Sequence, residues 1–224
     1  MIKIDITHRF QDFTFQADLT LPPKGITSIF GPSGSGKTTL LNFISGKMTP
    51  QEGVIEINDK TILDTHKKIS LPIHKRGIGY VFQDPTLFPH YSVEKNLHYG
   101  MKAQDDLLFE DIVTLLGIKP LLKKRIAYLS GGEKQRISIG RALLSSPNIL
   151  LMDEPLSALD QARKEEILSY LIEIPDRFNI PILYVTHNVK EALFLSHSFI
   201  AVDKGIMRLK PIAEIESFYE KEKS

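Results

Sequence analysis

The chain of 224 residues is long enough for one large domain, or for a core with a small inserted subdomain. Its 42% hydrophobic and 25% charged residues are ordinary for a folded protein, and a net charge of +1 gives no sign of a nucleic-acid-binding surface. The sequence has no cysteine, which excludes disulfides and thiolate metal sites, and no apolar run reaches the roughly 18–20 residues of a membrane span.

Strand-like patterns dominate the first third of the chain. Alternating or short apolar runs predict strands at 2–6, 13–21, 26–30, 54–57, 62–63 and 78–82. Asn58-Asp59 separates two of these runs and predicts a hairpin. A helix is predicted over Lys37–Ser45, with Gly46 as its C-terminal cap.

The pattern becomes helical from Pro85 to about Ser145, and strands then return. Ser130 followed by Glu133 predicts a capping box at the start of a helix. Short apolar runs separated by helical stretches predict strands at 149–152, 182–185 and 199–202. This alternation favours an α/β fold with a mainly parallel sheet. We predict a single domain over 1–224, with a core and β-rich edge at 1–85 and 146–224 and a helical subdomain at 86–145.

A glycine-rich segment, here called the phosphate loop, joins a predicted strand to a predicted helix. It runs Gly31-Pro32-Ser33-Gly34-Ser35-Gly36-Lys37-Thr38, with Thr39 next. Glycines let backbone N–H groups wrap closely around phosphate oxygens, and the helix that follows adds its positive dipole end. Lys37 is expected at the β- and γ-phosphates, and Thr38 is expected to offer its hydroxyl to Mg²⁺. The segment therefore predicts a nucleoside triphosphate site.

Two acids follow the apolar run at 149–152. An acid at the end of a buried strand lies at the carboxyl edge of the sheet, where α/β sheets bind ligands. Asp153 is expected to hold Mg²⁺, and Glu154 to activate the attacking water. The alternative reading is that both are solvated residues at the end of a strand.

A second glycine-rich segment, here called the signature segment, is Leu129-Ser130-Gly131-Gly132-Glu133. An ordinary helix N-cap with a flexible approach explains it locally, and the same cap geometry creates an anion site. A single domain of this size has room for one nucleotide. The segment is therefore expected to cap the nucleotide held by another copy.

Together, these motifs resemble the ATP-binding cassette of ABC transporters in order and spacing, over essentially all of the chain. The resemblance implies a P-loop NTPase fold with a RecA-like core, an N-terminal antiparallel β subdomain and an inserted α-helical subdomain. It also implies ATP and Mg²⁺ as cofactors. In that family Ser130, Gly131 and Gly132 face the γ-phosphate held by the opposite subunit.

The resemblance assigns further residues to the same site. Gln83 matches the glutamine that contacts Mg²⁺ and water and links the core to the helical insert. His187 matches the switch histidine that contacts the γ-phosphate, and Ser157–Asp160 matches the loop that communicates across the dimer. An aromatic ring from the N-terminal β region stacks on adenine in such cassettes. Phe10 is our choice by its distance from Gly31, with Phe13 as the rival.

Segments of the helical insert and beyond it resemble the ATP-binding subunits of molybdate importers. They are 87–91, 99–101, 115–122, 132–136 and 180–187. Tungstate, sulfate and iron importers are the alternatives. Longer importers of this type carry a C-terminal regulatory domain that can sense the oxyanion, whereas this sequence ends soon after its last predicted strand. The alternatives are a naturally short protein and a truncated sequence, and the resemblance does not extend to regulation by bound oxyanion.

The resemblance implies a head-to-tail, ATP-dependent homodimer on the cytoplasmic face of the bacterial inner membrane. The expected partners are integral membrane permease subunits and, indirectly, a periplasmic or extracellular substrate-binding protein, without nucleic acid. Two alternatives differ in class. One is a soluble ABC ATPase of DNA repair or translation, which would carry long coiled coils or two cassettes. The other is a nucleotide switch without turnover, which would lack Glu154 or His187.

Overall fold

The structure is a computed structural model that describes residues 1–101 and 105–223. Its strands are β1 (Ile2–Arg9), β2 (Thr14–Leu21), β3 (Gly25–Phe30), β4 (Glu52–Ile57), β5 (Lys60–Asp64), β6 (Ile69–Ser70), β7 (Ile78–Val81), β8 (Ile149–Asp153), β9 (Pro181–Val185), β10 (Ser198–Asp203) and β11 (Ile206–Pro211). Its α-helices are α1 (Lys37–Ser45), α2 (Val93–Gly100), α3 (Asp106–Leu115), α4 (Gly131–Leu144), α5 (Gln161–Leu171), α6 (Ile174–Phe178), α7 (Val189–Leu195) and α8 (Ile215–Lys223). In the described part of the chain, no helix combines the length and apolar character needed to cross a bilayer.

One mixed sheet runs through the molecule in the order β6-β5-β4-β1-β2-β11-β10-β3-β9-β8-β7. The five strands from β10 to β7 are parallel, whereas those from β6 to β2 are antiparallel. Strand β11 joins the two halves because it pairs antiparallel with β10 and parallel with β2. The parallel half contains the strands that end at or just before the phosphate loop, Gln83, Asp153 and His187.

The two faces of the parallel strands bury different apolar clusters. On β8, Leu150 and Met152 pack in a cluster with helices α2 to α5, whereas Ile149 and Leu151 pack in a cluster with α1 and the β-rich half. Both faces of these strands are therefore covered, which explains why their sequences are continuous apolar runs without alternation.

The structure confirms the predicted fold class and most of the predicted elements. Helix α1 has the predicted bounds, and Asn58 and Asp59 have the positive φ angles of 50° and 61° that a tight hairpin turn requires. The apolar stretch 118–122 contains only a short 3-10 turn, since Pro120 cannot donate within an α-helix. Residues 102–104 of the predicted helical subdomain lie outside the described residues. The division into subdomains stays a prediction.

Three elements, β6, β11 and α8, are not predicted from the sequence. Strand β6 has two residues, too few for a periodic pattern. Strand β11 has only one buried residue, Met207, so its apolar alternation is weak. The signal that could have identified it is Lys204-Gly205, because this pair forms a two-residue turn with positive φ at both positions.

A buried arginine holds the C-terminal end of α1. Arg76 is 2% exposed, and its Nη1 donates to the carbonyl oxygens of Phe43 and Ile44 at 2.9 and 2.8 Å. Its Nε donates to the carbonyl oxygen of Leu71 at 2.8 Å. A cation is favourable there because the last carbonyl groups of a helix carry partial negative charge and lack helical partners. Arg76 thus fixes the helix that starts in the phosphate loop.

We expect Gly46→Ala to lower the free energy of unfolding by about 2–4 kcal/mol. Gly46 has φ 85°, and an added Cβ would lie 2.6 Å from Nε of Arg76, so the buried guanidinium would lose hydrogen bonds. Gly25→Ala is the matched control because its φ is 91° but an added Cβ meets nothing within 4 Å. It should cost only about 1 kcal/mol of backbone strain. Urea denaturation without nucleotide measures both, and equal losses would contradict the role of Arg76.

Candidate nucleotide site

Four parallel strands deliver the phosphate loop, Gln83, the two acids and His187 to one edge of the sheet. The phosphate loop follows β3, Gln83 follows β7, Asp153 ends β8 and His187 follows β9. In the parallel register Val185 lies opposite both Ile29 and Asp153, so these strands end side by side. The carboxyl edge of a parallel sheet is the usual ligand site of this architecture.

The phosphate loop has the geometry of an anion site. Helix α1 begins at Lys37 without a side-chain cap, so its first N–H groups are available to a ligand. Gly34 and Gly36 have φ angles of 77° and 108°, which other residues resist. Ser35 Oγ is buried without a hydrogen-bond partner. The loop lines a cavity of about 180 Å³ whose residues are Ser33, Gly34, Gly36, Lys37, Thr38, Thr39 and Glu154.

The ammonium group of Lys37 is folded back into the loop. Its Nζ donates to the carbonyl oxygens of Gly31 and Pro32 at 2.9 and 2.7 Å. Burial lowers the pKa of Lys37, while the nearby charges of Glu154 and Asp153 oppose this shift. An ammonium group has three donors, so one remains for a phosphate oxygen after both loop contacts.

Asp153 is held by two hydroxyl groups. Its Oδ1 accepts from Thr38 Oγ1 at 3.0 Å, and its Oδ2 accepts from Tyr80 Oη at 3.3 Å. Burial raises the pKa of Asp153, and the two hydroxyl donors oppose that shift. Thr38 and Asp153 present hard oxygen atoms side by side, and Mg²⁺ prefers one or two such protein ligands with phosphate and water. These residues fit the predicted magnesium site.

Sequence reasoning missed Tyr80 and Lys47. Besides the contact of Tyr80 with Asp153, Nζ of Lys47 lies 3.9 Å from the centre of the Tyr80 ring and 4.2 Å from that of Phe82. Burial raises the pKa of Tyr80, so its hydroxyl stays a donor. The alternation of Tyr80 and Phe82 just before Gln83 is the signal that could have singled out this strand.

Glu154 and His187 face each other at the ends of β8 and β9. His187 Nδ1 lies 3.1 Å from Glu154 Oε2. Glu154 has a left-handed backbone with φ 45°, its N–H donates to the carbonyl oxygen of Val185, and its own carbonyl oxygen accepts from Ser157 Oγ at 3.0 Å. These bonds hold a strained residue whose carboxylate lines the phosphate-loop cavity.

The signature segment lies outside the cavity of its own chain. Ser130 Oγ accepts from the N–H of Glu133 at 3.3 Å, and Glu133 Oε2 accepts from the N–H of Ser130 at 2.7 Å, which confirms the capping box that begins α4. The N–H of Ser130 lowers the pKa of Glu133. An added Cβ on Gly131 would lie 3.3 Å from Leu159, in the loop that was assigned to dimer communication.

The remaining predicted residues, Gln83, Phe10 and its rival Phe13, differ in setting. Gln83 is exposed just beyond β7. Phe10 and Phe13 are both half-buried and stack on each other with ring centres 4.9 Å apart, and the His8 ring lies 4.5 Å from that of Phe10. Because the two rings stack on each other, the structure does not distinguish them, and the assignment of Phe10 as the ring that stacks on adenine stays a prediction.

A family model described as ABC transporter matches residues 15–157. The chain belongs to the ABC transporter family. Three relatives, each called molybdenum import ATP-binding protein ModC, are 54%, 49% and 53% identical to it, over 91%, 98% and 93% of this chain. They come from Vibrio parahaemolyticus, Pasteurella multocida and Haemophilus influenzae. The chain spans 55%, 62% and 59% of their respective lengths.

Solved structures of the family share the fold. CbiO1 of Clostridium perfringens, part of the ABC transporter complex cbiONQ, is 29% identical with a TM-score of 0.83, covering 99% of this chain and 91% of that one. The ATP-binding cassette MJ0796, in a dimeric post-hydrolysis state bound to ADP and Pi, is 26% identical with a TM-score of 0.75. That match covers 95% of this chain and 99% of that one. These matches confirm the predicted cassette fold.

We expect Glu154→Asn to be more heat-stable than Glu154→Gln by about 2–4 °C without nucleotide. Both variants lose the carboxylate, but asparagine tolerates the left-handed backbone at φ 45° and glutamine does not. Thermal denaturation followed by circular dichroism measures the difference. Equal melting temperatures would mean that Glu154 stores no backbone strain.

Proposed function

We propose that the protein binds and hydrolyses ATP with Mg²⁺ as the ATPase subunit of an importer for an oxyanion, namely molybdate. The observation that carries the proposal is the set of side chains at the carboxyl edge of β3, β8 and β9. The phosphate loop, an oxygen pair for Mg²⁺ and an acid facing a histidine lie together there. The names of the relatives support the cargo, since no residue of this site selects an oxyanion.

The chain's own groups fit the steps of phosphoryl transfer. Backbone N–H groups of the phosphate loop and the ammonium of Lys37 would hold the phosphates, and Thr38 and Asp153 would hold Mg²⁺, which would supply positive charge next to the transferred group. Glu154 accepts the proton of the attacking water as general base. His187 lies 3.1 Å from that carboxylate, where it would contact the γ-phosphate. Gln83, just beyond the end of β7, would orient the water and contact Mg²⁺.

We further propose that two copies form the complete site head to tail. The signature segment does not line the cavity of its own chain, although it begins helix α4. Ser130, Gly131 and Gly132 of the second copy would then close over the γ-phosphate. The dimeric structures of MJ0796 support this arrangement. Either Phe10 or Phe13 stacks on the adenine.

The proposed membrane partner is a permease subunit that docks on the helical region. A groove of about 360 Å³ lies beside β7, α2 and α4, with lining residues that include Thr86, Phe88, Tyr99 and Arg141. Tyr99 is 66% exposed, and such an aromatic side chain is typical of interface anchors. The protein would lie on the cytoplasmic face of the membrane, with a substrate-binding protein on the other side.

We expect Glu154→Gln to form a dimer in saturating Mg-ATP, because the variant binds ATP but cannot accept the proton that resets the site. Light scattering after size exclusion should give twice the chain mass of 25.4 kDa. Adding Gly132→Asp should restore the monomer without loss of ATP binding, since a carboxylate at the signature segment repels the phosphates. A monomeric Glu154→Gln protein with bound ATP would contradict the shared site.

We expect molybdate to stimulate ATP hydrolysis when the chain is reconstituted in liposomes with its permease subunits and substrate-binding protein. Molybdate, tungstate, sulfate and iron are tested separately, and the Glu154→Gln complex is the control without turnover. Stimulation by sulfate or iron alone would overturn the molybdate assignment and retain the importer. Hydrolysis that none of them changes would overturn the importer.

A further inference from the structure

A buried carboxylate near the proposed site has four polar partners. Glu191, on α7, is 6% exposed. Its Oε2 accepts from Tyr184 Oη at 2.9 Å and from Thr186 Oγ1 at 2.8 Å. Its Oε1 accepts from Lys164 Nζ at 3.2 Å and from Asn188 Nδ2 at 3.4 Å. A buried carboxylate is tolerated only when its lone pairs are satisfied in this way.

Two of these partners flank His187. Thr186 Oγ1 donates to Glu191 and also accepts from the N–H of Asn188 at 3.0 Å. Asn188 in turn accepts from the N–H groups of Lys190 and Glu191 and so caps α7. The backbone on both sides of His187 is therefore fixed by bonds that meet at one carboxylate. The imidazole itself is 64% exposed and makes only the contact with Glu154 among the residues that the structure describes.

The remaining partners lie on neighbouring elements. Lys164 lies on α5, which begins directly after the loop Ser157–Asp160, and its side chain is only 16% exposed. Tyr184 is fully buried on β9, and burial together with the charge of Glu191 raises its pKa, so it stays a donor. Glu191 thus joins α5 and β9 to the segment that carries His187.

We propose that Glu191 is a positioning residue that fixes His187 opposite Glu154 through Thr186 and Asn188, and ties that position to α5 through Lys164. The proposal rests on the proposed ATP hydrolysis for its effect on rate, but not for its effect on the imidazole. Removing the carboxylate leaves the phosphate loop untouched. The rate of turnover should therefore fall without a matching loss of ATP affinity.

The test uses the full chain with Glu191→Gln and the pair Thr186→Val and Thr186→Ser. Valine removes the hydroxyl while keeping the shape, and serine retains the hydroxyl. We expect Glu191→Gln and Thr186→Val to lower kcat at least roughly tenfold with KM for ATP changed less than about threefold, since small misplacements of a reacting group cost rate. Thr186→Ser should retain most of the activity.

A second readout needs no turnover. In nucleotide-free protein labelled with [¹⁵N]histidine, the imidazole resonances of His187 are identified by comparison with His187→Ala among the 7 histidines. They should move in Glu191→Gln and Thr186→Val and stay in place in Thr186→Ser. Ser196→Ala is the control for general loosening of α7, because it removes a buried hydroxyl contact with Ser28 at the far end of that helix.

The outcomes separate the two proposals. A wild-type protein that does not hydrolyse ATP overturns the proposed function, while the His187 resonances still decide whether Glu191 positions the ring. Unchanged resonances and an unchanged kcat in Thr186→Val overturn the positioning role. Equal effects of Thr186→Val and Ser196→Ala also overturn it, because they would reduce Glu191 to a general stabiliser of α7. If Glu191→Gln does not fold, the threonine pair carries the test alone.

Discussion

Val185 lies opposite Ile29 of β3 on one side and Asp153 of β8 on the other. This parallel register is the constraint on which the candidate site depends, because it aligns the ends of three strands to within a residue. The phosphate loop follows the end of β3, Asp153 is the last residue of β8, and His187 lies two residues beyond the end of β9. A shift of one residue in any of them would exchange the side chains that pack in the two apolar clusters on opposite faces of the sheet, and neither cluster would keep its packing. Burial of the strands thus fixes the position of polar groups that contribute nothing to the core.

Several features at the carboxyl edge of these strands lower the stability of the folded protein. Glu154 holds a left-handed backbone, Ser35 Oγ is buried without a partner, and α1 begins without a side-chain cap. Burial also raises the pKa of Asp153 and lowers that of Lys37, so both groups are charged at a cost. Each of these features costs free energy in the empty protein. A ligand that brings phosphate oxygens and a divalent cation would offset the cost of the open helix end, the unpartnered hydroxyl and the buried charges, whereas the backbone strain of Glu154 would remain. Departures from local rules that share one location are characteristic of functional sites.

Local signals in the sequence predicted much of this arrangement. The bounds of α1 follow from the glycines on either side, and the capping box at Ser130 follows from a three-residue spacing, because both depend only on neighbouring residues. The parallel pairing of β11 with β2 and the contact of Tyr80 with Asp153 join residues far apart in the chain, and no local pattern encodes them. The left-handed Glu154 is a further case, since its conformation is imposed by bonds to Val185 and Ser157 and opposes the preference of glutamate itself.

Two polar routes connect helix α5 to the acid and the histidine. One runs through the loop that follows Glu154, where Ser157 binds the carbonyl oxygen of that residue. The other runs through Lys164 and the buried carboxylate of Glu191 to the segment around His187. The routes meet again at the contact between Glu154 and His187, so hydrogen bonds and short stretches of backbone together form a closed ring. A ring of this kind resists independent motion of its parts, and the loop at its edge lies against the signature segment. The positions of Glu154 and His187 are therefore linked to that of the signature segment, on which a second copy would close.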